Sequence, residues 1–185
     1  MINDVKCWDN YWGEDNFYHL TDQRAGLFRR LITNLPIKSI LEVGCSNGYN
    51  LAAISRMGDY DLTGIDIAPR AIKNADKSIA NFMVGDAFNL PFQDNSFDLV
   101  LCCSFFNCFF DNHIPELIAE VSRVCRKYML VIDYHGDLES SASLALVTWQ
   151  KRNYDNLFPG FSLIKSYRNV AEISICMSVW LFKRK

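Results

Sequence analysis

Residues Ile40-Leu41-Glu42-Val43-Gly44-Cys45-Ser46-Asn47-Gly48-Tyr49-Asn50 join an apolar run bearing one acid to a glycine-punctuated turn. Gly44 and Gly48 permit the backbone angles of a tight strand-to-helix turn, and they let a ligand come close to the main chain. Asp61-Leu62-Thr63-Gly64-Ile65-Asp66 ends in a second carboxylate, 22 residues past Gly44. A carboxylate there can accept hydrogen bonds from both hydroxyls of a ribose. It could instead cap the helix announced by Pro69. A third acid, Asp86, closes Asn81-Phe82-Met83-Val84-Gly85-Asp86 and on its own could be a solvent-exposed turn residue. His135 follows the apolar run Tyr128–Tyr134 and titrates near neutrality, which makes it a candidate base; it could equally be a surface loop histidine. The chemistry in view is the holding of a nucleoside, with a proton acceptor nearby.

The glycine spacing separates two ligand classes. The dinucleotide fingerprint G-x-G-x-x-G would need glycines at 44, 46 and 49, and the chain has Gly44, Ser46 and Tyr49. A nicotinamide oxidoreductase is therefore disfavoured. Taken alone, the loop could also be an ordinary strand-to-helix turn.

These residues have to be positioned by alternating strands and helices. Expected strands are Ser39–Val43, Asp61–Asp66, Asn81–Ala87 with its exit, Phe97–Cys103, Tyr128–Tyr134, Phe161–Tyr167 and Ile173–Phe182. Expected helices are Ala25–Leu35 ending before Pro36, Leu51–Met57, Pro69–Ser78, Pro115–Lys127 and Ser140–Asn153. The unbroken apolar run Phe97–Cys103 suits a strand covered on both faces. A polar break at Arg168-Asn169 makes the last two strands a hairpin. The loop Ser104–His113 then falls at a strand's carboxyl end, where Phe105, Phe106, Phe109 and Phe110 could line a ligand pocket. His113, just ahead of Ile114-Pro115, reads as a helix-start residue. Residues 1–22 interleave Trp8, Tyr11, Trp12, Phe17 and Tyr18 with acids, and fit a lid over the site or a helix capping the sheet.

Composition narrows the classes further. At 185 residues and 50% hydrophobic, the chain should form one domain (1–185), with 1–35 as a cap or lid and 36–185 as the core. Nineteen basic and 21 acidic residues give a net charge of −2 without a basic stripe, so neither a nucleic acid nor a membrane surface is expected as a partner. Asp4, Lys6 and Asp9 interrupt the first ten residues, so no secretory leader is expected, and Phe97–Phe110 is too short to span a bilayer. Seven cysteines without a C-x-x-C pair, and only three histidines, point to neither disulfides nor a metal site, and to a reduced cytoplasmic setting. Cys102, Cys103 and Cys108 read as small buried hydrophobes.

Glu42, Gly44 and Gly48 match the loop acidic-x-G-x-G-x-G at all but its middle glycine, where Ser46 stands. With Asp66, Gly85-Asp86 and the block Asn89-Leu90-Pro91-Phe92-Gln93-Asp94-Asn95-Ser96-Phe97-Asp98, the chain resembles the class I (Rossmann-like) S-adenosylmethionine-dependent methyltransferases over residues 38–135. The resemblance implies an α/β three-layer sandwich with a seven-stranded, mostly parallel sheet ordered 3-2-1-4-5-7-6 and an antiparallel C-terminal hairpin. It implies S-adenosylmethionine as cofactor, with S-adenosylhomocysteine as product and a small-molecule methyl acceptor. Glu42, Gly44, Ser46 and Gly48 would hold the methionine end, Asp66 the ribose, and Asp86 with Ala87 the adenine; Cys45, Ile67, Gly85 and Cys103 complete the cofactor set. Trp12-Gly13-Glu14, Leu41–Cys45, Asn50-Leu51, Tyr128–His135 and Val179–Phe182 look like small methyltransferases of pseudaminic-acid and surface-glycan biosynthesis, a sugar or sugar-nucleotide acceptor being implied. Asp15-Asn16-Phe17 departs from that group, where a second glycine is usual. The rival reading is a non-catalytic module of the same fold that works through a protein partner; Asp66 and Asp86 speak against it.

Overall fold

The structure, a computed structural model, describes residues 21–134, 154–168, 170 and 177–185. The aromatic segment up to residue 20, His135 and the expected helix Ser140–Asn153 lie outside the described residues. The elements, in order, are α1 (Thr21–Ile32), β1 (Ser39–Val43), α2 (Tyr49–Ser55), β2 (Asp61–Asp66), α3 (Pro69–Asn74) and β3 (Asn81–Val84). They continue with β4 (Phe97–Cys103), two 3₁₀ turns (Phe106–Cys108 and Asp111–His113), α4 (Ile114–Val124), β5 (Cys125–Tyr134), β6 (Phe161–Tyr167) and β7 (Met177–Arg184).

The seven strands form one sheet in the order β3-β2-β1-β4-β5-β7-β6. The first five run parallel, and β7 lies antiparallel between β5 and β6. The implied α/β sandwich and its C-terminal hairpin are thus what the chain forms. Side chains that alternate along a strand supply two separate cores. Leu41, Val43, Val100, Cys102, Met129, Val131, Trp180 and Phe182 pack on one face with Leu117, Val121 and Val124 of α4. Ile40, Leu99, Leu101, Leu130, Ile132, Val179 and Leu181 pack on the other with Leu27 and Phe28 of α1 and Leu51 and Ile54 of α2.

Four helix ends differ from expectation: α2 stops at Ser55, two residues before Met57, and the other three have local reasons. α1 stops at Ile32: the Leu35 amide turns back to the Ile32 carbonyl at 3.0 Å, and Pro36 keeps its predecessor out of the helical region. α3 stops at Asn74 because Ala75 is extended, and Asp76 Oδ1 takes both the Ser78 amide (2.9 Å) and its hydroxyl (2.7 Å). Such side-chain turns compete with helix propagation. α4 ends at Val124, and β5 begins at Cys125, three residues before the expected start, so that Cys125 pairs with Phe97 across a bulge.

That early start brings Arg126 and Lys127 to Asp98, which is 3% exposed. Asp98 Oδ2 accepts the amides of Lys38 (2.9 Å) and Ser39 (3.3 Å), while Oδ1 meets Arg126 Nη2 (2.8 Å) and Lys127 Nζ (2.9 Å). Burial pushes this carboxyl up, but the Lys127, Lys38-amide and Arg126 contacts outweigh it and hold the group below the usual carboxylate range. Asp98 therefore ties the starts of β1, β4 and β5 together at the amino edge of the sheet. Asp98→Ala should lower the unfolding free energy by about 3 kcal/mol, measured by urea denaturation at neutral pH. The sign in pH follows from the lowered value: the contribution is complete above the ordinary aspartate range and fades as acid protonates the folded-state carboxylate.

Candidate functional site

Parallel pairing aligns Val43 with Ile65 of β2 and Cys102 of β4, so three strands end side by side at the carboxyl edge. The turn leaving β1 is fixed by the amides of Gly44 (2.9 Å) and Cys45 (3.1 Å), which both donate to the Ile65 carbonyl. Gly44 (φ +73°) and Gly48 (φ +89°) lie in the left-handed region, as a turn this tight requires. A Cβ on Gly44 would also meet the Phe105 ring at 2.6 Å, and one on Gly48 the Phe82 ring at 2.4 Å. Ser46 keeps the left-handed backbone (φ +49°) although it carries a side chain. Its amide is held by Asp66 Oδ2 at 2.8 Å, which compensates for the strain. Ser46→Gly should leave stability unchanged or raise it by up to about 1 kcal/mol without weakening ligand binding, checked by thermal unfolding alongside a titration.

Beside this turn lies a cavity of about 210 Å³. Glu42, Gly44, Cys45 and Ser46 line it from β1 and its turn, and Asp66 and Ile67 from the end of β2. Gly85 and Ala87 contribute from the exit of β3, and Cys103 from β4. Gly48 instead forms the N-cap of α2. Asp86 does not line the cavity; its Oδ1 accepts the Phe88 amide at 3.0 Å. Of the four phenylalanines after β4, Phe105 and Phe109 line the cavity, Phe106 is wholly buried against Tyr154 and Phe158, and Phe110 is exposed. His113 caps the start of α4 and packs edge-on against Phe88.

Glu42 is 1% exposed. Asn50 Nδ2 donates to its Oε1 at 2.6 Å, and Oε2 has no hydrogen-bond partner among the described residues. Burial pushes the Glu42 carboxyl up to about 8, against the pull of Asn50 and Arg24. Asp66 is raised too, by burial, although the amides of Ala68 (2.9 Å to Oδ1) and Ser46 counter this. Each Asp66 oxygen keeps lone-pair capacity beyond its amide. Cys103 is pushed up to about 12 by burial, so it is a neutral thiol at physiological pH. Among the described residues no group of three or more His, Cys, Asp or Glu is placed to hold a metal ion, and no helix is long and apolar enough to cross a membrane.

Two features of the site carry no motif. Arg24 of α1 lines the cavity, and its Nη1 donates to Asn50 Oδ1 at 2.6 Å. Asp133, completely buried, braces the wall that holds Phe105 and Phe109. Its Oδ2 accepts the Asn107 amide (3.1 Å) and the Tyr154 hydroxyl (2.9 Å). The apolar run Tyr128–Tyr134 could have flagged Asp133 as an acid in a buried strand; for Arg24, nothing in the local sequence does.

The family described as "Methyltransferase domain" matches residues 40–128. The phthiotriol/phenolphthiotriol dimycocerosates methyltransferase of Mycobacterium leprae (strain TN) is 36% identical over 116 residues, which is 60% of this chain and 39% of that protein. The 27-O-demethylrifamycin SV methyltransferase of Amycolatopsis mediterranei (strain S699) is 28% identical over 141 residues, covering 64% of this chain and 50% of that one. This chain therefore spans half or less of the length of these curated relatives. Among solved structures, magnesium protoporphyrin IX methyltransferase from Synechocystis PCC 6803 with bound SAH superposes with a TM-score of 0.73 at 14% identity, covering 98% of this chain and 100% of that one. At such identity the likeness speaks for the fold alone. The matched stretch runs from β1 into β5 and holds the glycine turn and the acidic ends of β1 and β2, within a sheet of order 3-2-1-4-5-7-6. On this agreement the chain carries, over residues 40–128, a match to the methyltransferase domain, in a sheet ordered like that of the class I (Rossmann-like) S-adenosylmethionine-dependent methyltransferases, whose cofactor is S-adenosylmethionine.

Proposed function

We propose that this chain transfers a methyl group from S-adenosylmethionine to a small-molecule acceptor. The observation that carries the reading is the cavity at the carboxyl ends of β1, β2 and β4, where one buried oxygen of Glu42 is unmet among the described residues and Asp66 has lone pairs to spare. The residues suit the cofactor: an acid for an ammonium, an acid for a hydroxyl pair, and a Gly85–Ala87 edge for a flat base. When bound, the cofactor supplies a methyl group already activated on a sulfonium sulfur. Glu42 would hold the methionine end and the Ser46 turn would pass beneath it. Asp66 with Ile67 would hold the ribose, and Gly85, Asp86 and Ala87 the adenine. Phe105, Phe109 and Cys103 would keep water from the reacting end, and positioning does the rest of the work. His135, the residue after β5, is the proposed base for an acceptor that must lose a proton. We read residues 1–185 as one domain with 1–35 as its cap; Arg24 on the cavity wall supports that reading.

The likeness to surface-glycan methyltransferases favours a sugar or sugar-nucleotide acceptor, whereas the two curated relatives are named for a phthiotriol/phenolphthiotriol dimycocerosate and a rifamycin SV precursor. Incubation with methyl-labelled cofactor and a panel of nucleotide sugars, lipid polyols and macrocycles tests both levels. Label in a nucleotide sugar is the expected result. Label confined to the other classes overturns the sugar reading alone, and label in none removes the transferase reading. His135→Gln should depress transfer most above neutrality, where the wild-type imidazole is unprotonated and able to act as a base, and least at low pH, where it already carries its proton; an unchanged pH profile excludes His135 as the base.

A further inference from the structure

Residues 85–96 carry the chain from β3 to β4 without helix or strand, and their first part, Gly85 and Ala87, is a wall of the cavity. The near end of this segment is a local turn. Asp86 receives the Phe88 amide on its Oδ1 (3.0 Å) and the Asn89 amide on its carbonyl (3.1 Å). The residues that follow are held from outside, by the last turns of α4. Glu120 Oε1 accepts the Leu90 amide at 2.7 Å. Arg123 donates through Nη2 to the Leu90 carbonyl (3.1 Å), and through Nη1 to the Phe92 carbonyl (2.8 Å) and Asp94 Oδ1 (2.8 Å). Its Nε and Nη2 also meet Glu120 Oε2 (2.9 Å) and Oε1 (2.7 Å). Every donor of the guanidinium is thereby engaged, and the Arg123 carbonyl accepts the Asn95 amide at 2.8 Å. A planar fork bound to a carboxylate on one side and to two main-chain carbonyls on the other fixes distance and orientation together, which the point charge of a lysine does not.

We propose that Arg123 and Glu120 are positioning residues for ligand binding: from α4 they set the path of the β3–β4 segment, and with it where Gly85 and Ala87 stand against a nucleoside. Neither residue lines the cavity, so both act through the segment they hold. Phe88 passes the same placement to a second wall, its ring lying edge-on to Phe109 with centroids 5.8 Å apart. The proposal rests on the cofactor reading above and extends it to a clamp outside the cavity, on the principle that a binding wall is only as exact as the contacts that support it.

The test compares the wild type with two variants, each well below its melting temperature, by calorimetric titration with S-adenosylhomocysteine and 5′-methylthioadenosine. Arg123→Lys keeps the charge and loses the fork. It should weaken both ligands by the same factor, about fivefold or more, because the displaced wall faces the nucleoside they share. Asp98→Ala, which destabilises the fold from the amino edge of the sheet, should leave both affinities at the wild-type value. Amide hydrogen exchange without ligand should quicken at residues 86–90 in Arg123→Lys and stay unchanged there in Asp98→Ala. Wild-type affinities in Arg123→Lys would mean that the clamp only stabilises the fold, and overturn the proposal with the cofactor reading intact. A loss that Asp98→Ala matches, or one confined to S-adenosylhomocysteine, overturns it in the same way. Binding of neither ligand by the wild type removes the cofactor reading and this proposal with it. Should Arg123→Lys not fold, Glu120→Gln decides by the same measure. It keeps an oxygen for the Leu90 amide but lacks the charge that holds the fork, and should weaken both ligands about threefold.

Discussion

Glu42→Gln should weaken S-adenosylmethionine by about 10–100-fold and leave 5′-methylthioadenosine unaffected, because on the proposed reading it removes the group that would face the ammonium as an anion while keeping the shape of the side chain. The same substitution strengthens the unliganded protein. Burial raises the Glu42 carboxyl from 4.5 to about 8, so the folded state prefers the neutral acid. A group raised on folding gives its full stabilisation below its unfolded value and loses it as pH climbs through the folded value. The wild type therefore loses stability between pH 4.5 and about 8, by up to roughly 5 kcal/mol, while the glutamine variant does not. Thermal melts of both proteins across that range measure the gap directly. Cofactor binding near neutrality should also release a proton from Glu42, seen as a calorimetric heat that varies with buffer; the glutamine variant should show none.

Asp66→Ala strikes the other half of the ligand and should weaken S-adenosylmethionine and 5′-methylthioadenosine alike, by about 100-fold or more, since both carry the ribose. It also strands the amides of Ser46 and Ala68, which Asp66 receives at 2.8 and 2.9 Å. With Ser46 already in the left-handed region, the turn loses its main restraint, and a stability loss of about 2–4 kcal/mol accompanies the loss of binding. Equilibrium titration of both ligands, with a urea melt of the same sample, separates the two effects. The contrast with Glu42→Gln is diagnostic: one variant discriminates between the ligands and the other does not.

Much of this site was legible because strand ends are written in local sequence. The boundaries of β1, β2, β4 and β6 follow directly from apolar runs that stop at Val43, Asp66, Cys103 and Tyr167. The glycine turn and Asp66 were legible for the same reason, as punctuation after a strand. Helix ends were less so: apolar period says nothing of the Asp76–Ser78 turn that halts α3, or of the demand of Asp98 for Arg126 and Lys127 that draws β5 back to Cys125. Arg24 and Asn50 were missed because their significance is a contact across 26 residues, between α1 and α2. The phenylalanine loop divides by which side of the 3₁₀ turn each ring leaves, and no periodicity marks that. Asp133 sits inside an apolar strand with nothing local to mark its role, and it serves as an interior brace beneath that loop.

The measurement that bears most directly on the central claim is a calorimetric titration of the purified chain with S-adenosylmethionine, S-adenosylhomocysteine and NAD in parallel. Micromolar binding of the first two and none of NAD is the expected outcome. Binding of NAD in their place, or of none of the three, would contradict it.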